Sequence, residues 1–356
     1  MANTPHLRVV SHPGEAEASE RRSIFVAALT FRRPELLADF LEAYPKITLP
    51  DGVDVTLLVV DNDAPGSARR TFESYRDRIP NARYVVEPRV GIPVARNRAL
   101  HEALAADAEA LCFIDDDEVP ATDWLVNLVR EWRRSGAELV GGPVGVTPVP
   151  VTATAWQRLI NASLAFRSRR KYAGTAKAAA SGGRYTIVTN NWLCDLRWLA
   201  AKGLRFDERL LLTGGSDTAF DRAATATGCR RSWAPDAVVH EKIPPDRLTL
   251  RYQLWRGASQ SITHFRMKHD RITPRLVLAT VAVSAVRAVL GLLLLAVPVF
   301  GIGSLTIGIR SIGWAAGRIQ ALCGAQSMLY AFAVAEPVKA TAMPAAAPAM
   351  ERKRAA

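Results

Sequence analysis

Apolar residues in this chain come in short runs separated by amphipathic stretches. SIFVAALT (23–30), DVTLLVVDN (54–62), RYVVEP (83–88) and ALCFI (110–114) are runs of strand length closed by polar turns, the pattern of strands buried on both faces. Between the first two, PELLADFLEAY (34–44) opens on Pro34, sets Leu36, Leu37, Phe40, Leu41 and Tyr44 along one face, and stops at Pro45. IPVARNRALHEALAAD (92–107) has helical spacing, and ATDWLVNLVREWRR (121–134) predicts a further helix closed by Gly136. Strands alternating with helices of these lengths predict βαβ units and a mostly parallel sheet, an α/β fold. Ligands of such sheets collect beyond the carboxyl ends of the strands. Thr30, Asp61, Asp115, Asp116 and Asp117 all stand at that edge.

The pattern weakens between about 140 and 190. SRRKYAGTAKAAASGGRY (168–185) is small, basic and Gly/Ala-rich and reads as a mobile loop. Order resumes with TNNWLCDLRWLAAKGLRFD (189–207), a helical SDTAFDRAATATG (216–228) and a strand-like WAPDAVVHEK (233–242). Then the character changes. LVLATVAVSAVRAVLGLLLLAVPVF (276–300) is long enough to cross a bilayer, with Arg287 near its middle, and a second apolar stretch at roughly 305–334 includes Arg310 and Arg318. Basic residues precede the first segment and close the chain, so the pair reads as a hairpin with both ends on the cytoplasmic side, or as two helices lying in the interface. The expected organisation is a disordered leader (1–22), an α/β domain (23–265), a membrane-associating helical hairpin (266–335) and a flexible basic tail (336–356).

Composition sharpens this only in part. Of 356 residues, 49% are hydrophobic and 22% charged, which excludes a disordered chain. The formal charge of +12 suits nucleic acid, an anionic membrane surface or a phosphorylated small molecule equally well. The four cysteines are scattered without a CxxC, arguing against a zinc ribbon or disulfide framework and for a reducing compartment. The polar N-terminus has no apolar core of a signal peptide.

Within this basic chain CFIDDDEVP (112–120) is conspicuous. An aspartate that merely ended a strand would need no companions, whereas three at the ligand edge suit a hard cation such as Mg²⁺ or Mn²⁺. Asp61, in VVDND, is either a turn residue or an acceptor for a nucleobase or ribose. Arg96 lies in the first turns of a helix that starts near the same edge, where cation and helix terminus together favour a phosphate. Asp217, in GGSDTAFDRA, is either a helix cap or a general base carried by a mobile loop. His240 is a surface or core histidine, or a metal ligand from a distant strand.

Taken in order, ALTFRRPELL (28–37), VVDND (59–63), GIPVARN (91–97), FIDDDE (113–118) and GLRFDERLLLTGGSDTAFDRA (203–223) resemble the family 2 glycosyltransferases of the GT-A fold, most of all the bacterial exopolysaccharide enzymes of the succinoglycan type. The resemblance covers roughly 23–265. It implies a Rossmann-like sheet flanked by helices, here followed by a hydrophobic helical segment. It implies nucleotide-sugar contacts at Thr30, Arg33, Asp61, Arg96, Asp115 and Asp116, a divalent cation on Asp117 and Asp115, and a catalytic base at Asp217. The chain departs from the family pattern where Ser216 replaces one of two adjacent acids and Ala219 another acid. QLWRG (253–257) only partly echoes the tryptophan motif of processive synthases, with Arg256 as a diphosphate contact, which implies addition of a single sugar. The implied partners are a UDP-sugar donor, a lipid-linked saccharide acceptor and the cytoplasmic face of the membrane, with no nucleic acid. Two other readings stand beside this one. A sugar-phosphate nucleotidyltransferase would carry a Gly-rich loop and a lysine after the first strand, where TFRRP stands; a non-catalytic basic membrane adaptor would need none of the acids.

Overall fold

The computed structural model describes residues 22–211, 214–269, 271–296 and 303–327. The expected leader, apart from Arg22, and the expected basic tail lie outside these residues. In chain order the first half holds β1 (Arg22–Thr30), α1 (Pro34–Ala43), β2 (Val53–Asp61), α2 (Arg69–Tyr75), β3 (Ala82–Val86), α3 (Ile92–Ala105), β4 (Ala110–Asp115), β5 (Glu118–Pro120) and α4 (Trp124–Ser135). There follow β6 (Leu139–Gly141), β7 (Val144–Val146), α5 (Ala155–Ala180), β8 (Asn191–Asp195), α6 (Leu196–Ala201), α7 (Ser216–Ala226), β9 (Arg231–Trp233) and β10 (Val239–Glu241). Three helices complete the described chain: α8 (Leu250–Lys268), α9 (Pro274–Ala296) and α10 (Ser304–Leu322).

The main sheet runs β3-β2-β1-β4-β8-β6-β9. Its first four strands are parallel, whereas β8 is antiparallel to both of its neighbours. Because side chains alternate along a strand, β1 feeds two cores. Ile24, Val26 and Ala28 pack with Leu37, Phe40, Trp124 and Leu125, and Phe25 and Ala27 pack with Ala99, Leu100 and Trp192. The register sets Thr30 opposite Asp61 and Leu29 opposite Asp115, so the polar residues that close these strands meet at one edge. A second, three-stranded sheet, β5-β10-β7, starts at the acidic run and brings Glu241 beside Glu118.

Two expectations are revised. The segment predicted as a mobile loop at 168–185 is mostly helix, since α5 runs to Ala180. Thr154 and Gln157 cap its start reciprocally, alanine is the strongest helix former, and Tyr172 stacks on Trp233 with ring centroids 5.7 Å apart. Small residues had suggested flexibility where their helix propensity prevails. The second revision concerns the two apolar segments. Among the described residues only Pro274–Leu295 is long and apolar enough to cross a membrane. The other, α10, lies on α8 across a seam of glycines. A Cβ on Gly257 would come within 2.6 Å of the Arg310 carbonyl oxygen, and Cβ atoms on Gly313 and Gly317 would run into the Leu254 and Ala258 carbonyls. Arg287, costly at membrane depth, stacks over Trp314 of α10 at 4.1 Å.

This seam predicts opposite outcomes for two glycines. Gly313→Val should force α10 off α8 and lower stability by about 1–3 kcal/mol or more. Gly174→Ala should raise it by roughly 0.5–1 kcal/mol, since a Cβ inside α5 at Gly174 meets nothing within 4 Å. Thermal midpoints of the two variants test both; equal shifts would refute the close helix contact.

Candidate active site

A cavity of about 460 Å³ opens at the carboxyl edge of β1 and β4 and is walled by α5, α8 and α10. Thr30, Arg33, Arg96, Asp115, Asp117, Asp217 and Arg256 line it, so seven residues singled out from sequence converge on one volume. They come from positions up to 226 residues apart, brought together by the parallel register at one sheet edge and by three helices.

The acidic run divides by orientation. Asp115 and Asp117 border the cavity, whereas Asp116 is turned inward, with its side chain fully buried 2.6 Å from the Arg33 guanidinium. Arg33 also donates to Asp117 Oδ2 at 3.0 Å, and Arg247 approaches the same oxygen at 3.6 Å. Burial opposes the charge of Arg33, but Asp116, Asp117 and Asp115 together outweigh it and hold the guanidinium firmly protonated. Burial, with Asp117 and Asp116 as like charges, pushes Asp115 up to about 7, and Asp116 is pushed up to about 6 by burial despite Arg33. The run therefore holds more negative charge than its arginines balance. Below it Glu118, fully buried, accepts from the Asp115 N–H at 3.0 Å and from Asn190 Nδ2 at 2.8 Å, clamping the turn.

Asp61, expected to meet a nucleobase or ribose, is placed inside the fold. Its carboxylate accepts from the Asp63 N–H (3.1 Å), the Ala68 N–H (2.8 Å) and the Tyr84 hydroxyl (2.6 Å), and the residue has no exposed surface. Asn62 lines the cavity in its stead. Its amide donates to the carbonyls of Glu87 and Arg89 and its oxygen accepts from the Gly91 N–H, which ties the start of α3 to the end of β2. Gly91 is needed at this close approach, with φ of 152° and no room for a Cβ beside Leu211.

Asp217 sits in the first turn of α7 behind Gly215, whose φ of 91° lets the chain turn into the helix. Its Oδ1 accepts from Thr189 Oγ1 at 2.7 Å and pairs with Arg96. Arg96, predicted as a phosphate contact, is 5% exposed. It stacks over Phe206 at 5.3 Å and also donates to Ser216 Oγ at 3.1 Å. It thus orients the Asp217 turn as well as bordering the cavity.

His240 does not reach this volume. Alternation along β10 sends its ring outward over Gly145, and Glu241, one residue on, lines the cavity. Sequence reasoning passed over Thr189, Asn190, Glu241, Arg247 and the basic residues Arg167, Lys171 and Arg310, all but Thr189 among the cavity lining. No motif marks them: they lie on the helix misread as a loop, on a helix read as part of a membrane-associating hairpin, and in short segments whose placement depends on the sheet order.

Among the described residues no three ligating side chains gather into a ready metal site. The residues nevertheless fit a hard cation. Magnesium and manganese take oxygen donors and commonly use one or two carboxylates, with substrate phosphates completing the shell. Asp115 and Asp117 supply that set, and a cation would offset both the burial and the like charges that raise Asp115.

Comparison with known proteins gives the family. Glycosyl transferase family 2 matches over residues 26–197. The succinoglycan biosynthesis protein ExoM of Rhizobium meliloti (strain 1021) is 34% identical over 254 residues, which is 71% of this chain and 77% of ExoM. Crystal structures of S. aureus TarS 1-349 in complex with UDP and with UDP-GlcNAc are 14% identical, cover 85% of this chain and 92% of theirs, and superpose with TM-scores of 0.46 and 0.47. A longer TarS structure is covered over 55% of its length. With its mostly parallel α/β sheet of GT-A type and a relative matched over most of both lengths, the chain belongs to glycosyl transferase family 2.

Proposed function

We propose that the cavity transfers one sugar, with inversion, from a UDP-sugar to the saccharide of a lipid-linked acceptor in polysaccharide biosynthesis at the cytoplasmic face of the membrane. The observation that carries this reading is that Asp217, Asp115 and Asp117 line one cavity at the carboxyl edge of the sheet. Asp217 takes the proton of the acceptor hydroxyl as that oxygen attacks the anomeric carbon from the face opposite the diphosphate. Thr189 and Arg96 hold the carboxylate in place for that transfer. One base suffices for a single inverting displacement, in which no glycosyl–enzyme bond forms. Asp117 and Asp115 would hold Mg²⁺ or Mn²⁺, which supplies Lewis-acid stabilisation of the departing diphosphate. Asn62 and Thr30 border the space for the nucleoside, and Arg33 keeps Asp116 and Asp117 in position. The catalytic body is 23–265, and 266–335 associates with the membrane through the apolar surface of α9.

Release of UDP from UDP-sugars in the presence of a membrane extract tests the reaction. Release should require Mn²⁺ or Mg²⁺ and stop with EDTA. UDP with Mn²⁺ should stabilise the fold by about 2.7 kcal/mol at a hundred times its Kd, whereas Mn²⁺ alone or duplex DNA should not. Equal stabilisation by DNA would replace this reading with nucleic-acid binding.

A further inference from the structure

The cavity gathers aspartates at its sheet edge and a cluster of cations on its helices, with Glu241 of β10 near enough to Arg256 and Arg310 to feel their charge. Opposite the acidic sheet edge stand Arg167 and Lys171, one turn apart on α5, with Arg256 of α8 and Arg310 of α10. Among the described residues no carboxylate lies within ion-pairing distance of any of the four. Arg310 is held by its Nε, which donates to Gln253 Oε1 at 2.8 Å, and buried Gln253 in turn donates to the Arg247 carbonyl. The other guanidinium nitrogens of Arg310 make no hydrogen bond within the described chain. Burial and the neighbouring Arg256 lower the proton affinity of Arg167, and burial and Arg167 lower that of Lys171. Like charges gathered in a confined space are stable when an anion joins them.

Most of the exposed large apolar side chains of the described residues lie on α9, next to this wall, and on α5 itself. On α9, Leu278, Val283, Val286 and Leu292 are more than half exposed, and α5 adds Trp156 at 60%. Both helices pack on α10, which presents Arg310 to the cavity. The α5 contact is fastened by a Ser163–Thr306 hydroxyl pair at 2.6 Å. Trp156 lies eleven residues before Arg167, about 16 Å along the helix at 1.5 Å per residue. The cationic wall is thus joined through α5 and α10 to an exposed apolar surface.

We infer that Arg167, Lys171 and Arg310 form an acceptor subsite that grips the diphosphate of a lipid-carried saccharide while α9 and α5 take up its hydrocarbon chain. This rests on the proposed transfer to a lipid-linked acceptor. The donor diphosphate has its place on the opposite wall, at Asp115 and Asp117, with Arg256 at the join between the two.

The test uses the full chain in detergent and a double variant, Arg167→Ala/Lys171→Ala, at two exposed positions that line the cavity, with its thermal midpoint checked first against the wild type because Lys171 rests on Tyr172. A prenyl diphosphate, the matching prenyl alcohol, inorganic pyrophosphate, and UDP with Mn²⁺ are titrated against each. The wild type should bind the prenyl diphosphate, and the alcohol and pyrophosphate each at least tenfold more weakly; the double variant should lose about tenfold or more for the prenyl diphosphate. UDP with Mn²⁺ should bind both proteins alike. Equal loss of UDP binding would make the wall a donor site, and equal binding of pyrophosphate and prenyl diphosphate would make it a site for free phosphate. Unchanged prenyl diphosphate binding in the variant overturns the inference outright. Failure of UDP to bind the wild type would instead remove the donor assignment, and is read in a separate titration.

Discussion

Asp217→Asn loses about 10²–10⁴-fold in sugar transfer, the range expected for removal of a general base, and keeps its affinity for UDP with Mn²⁺. The asparagine occupies the same volume, and its amide oxygen can still accept from Thr189 and Arg96, so α7 should start where it does now. What disappears is the site that receives the proton of the acceptor hydroxyl. The loss should therefore fall on the rate of transfer with acceptor present, with the donor KM little changed. Slow hydrolysis of the donor by water would fall less, since its nucleophile can pass a proton to bulk solvent. Transfer at the wild-type rate would remove Asp217 from the base role. Thr189→Val offers a graded companion: it removes one hydrogen bond to the carboxylate and should lower the transfer rate while leaving binding intact.

Arg33→Met destabilises the fold by about 3 kcal/mol, the low end of what breaking a buried pair costs, because the Arg33 side chain keeps a third of its exposure. The loss arises because Asp116, with no exposed side-chain surface, is left beside Asp115 and Asp117 without its counter-ion and must either stay charged in burial or take up a proton. The double variant Arg33→Met/Asp116→Asn should recover much of this, since it removes the stranded charge as well as the partner. Midpoints of urea unfolding at unchanged m-value measure both. If Arg33→Met unfolds like the wild type, the Arg33–Asp116 pair does not stabilise the fold. The same comparison separates the roles of the acidic run, for Asp116→Asn should leave transfer nearly intact where Asp117→Asn removes it.

The four apolar runs and the helices after the first and third were legible in the sequence to within about two residues, because a strand buried on both faces must be apolar throughout and a crossover helix shows one apolar face, whereas the short, polar α2 between β2 and β3 was not seen. Asp115, Asp117 and Asp217 were legible too, since carboxylates at strand ends and helix starts stand out against a basic chain. Asp61 was visible as a residue but not in its placement: Tyr84 and the Ala68 N–H, the groups that engage it, come from elements whose contact the local pattern does not contain. His240 and Glu241 differ only in parity along β10, and parity depends on which face that strand turns toward the cavity.

On its own the sequence determined a parallel α/β sheet, the edge at which its chemistry gathers, and the apolar length of α9, all of which follow from local periodicity and solubility. Only the tertiary structure decided that α5 is a helix walling the cavity, that α10 lies on α8 and delivers Arg310, and that Arg33 locks Asp116 inside. Those outcomes depend on glycine-mediated close approach and on side-chain hydrogen bonds reaching across 57 to 84 residues. The energies that set them belong to pairs of elements, and no single stretch of chain carries both members of a pair.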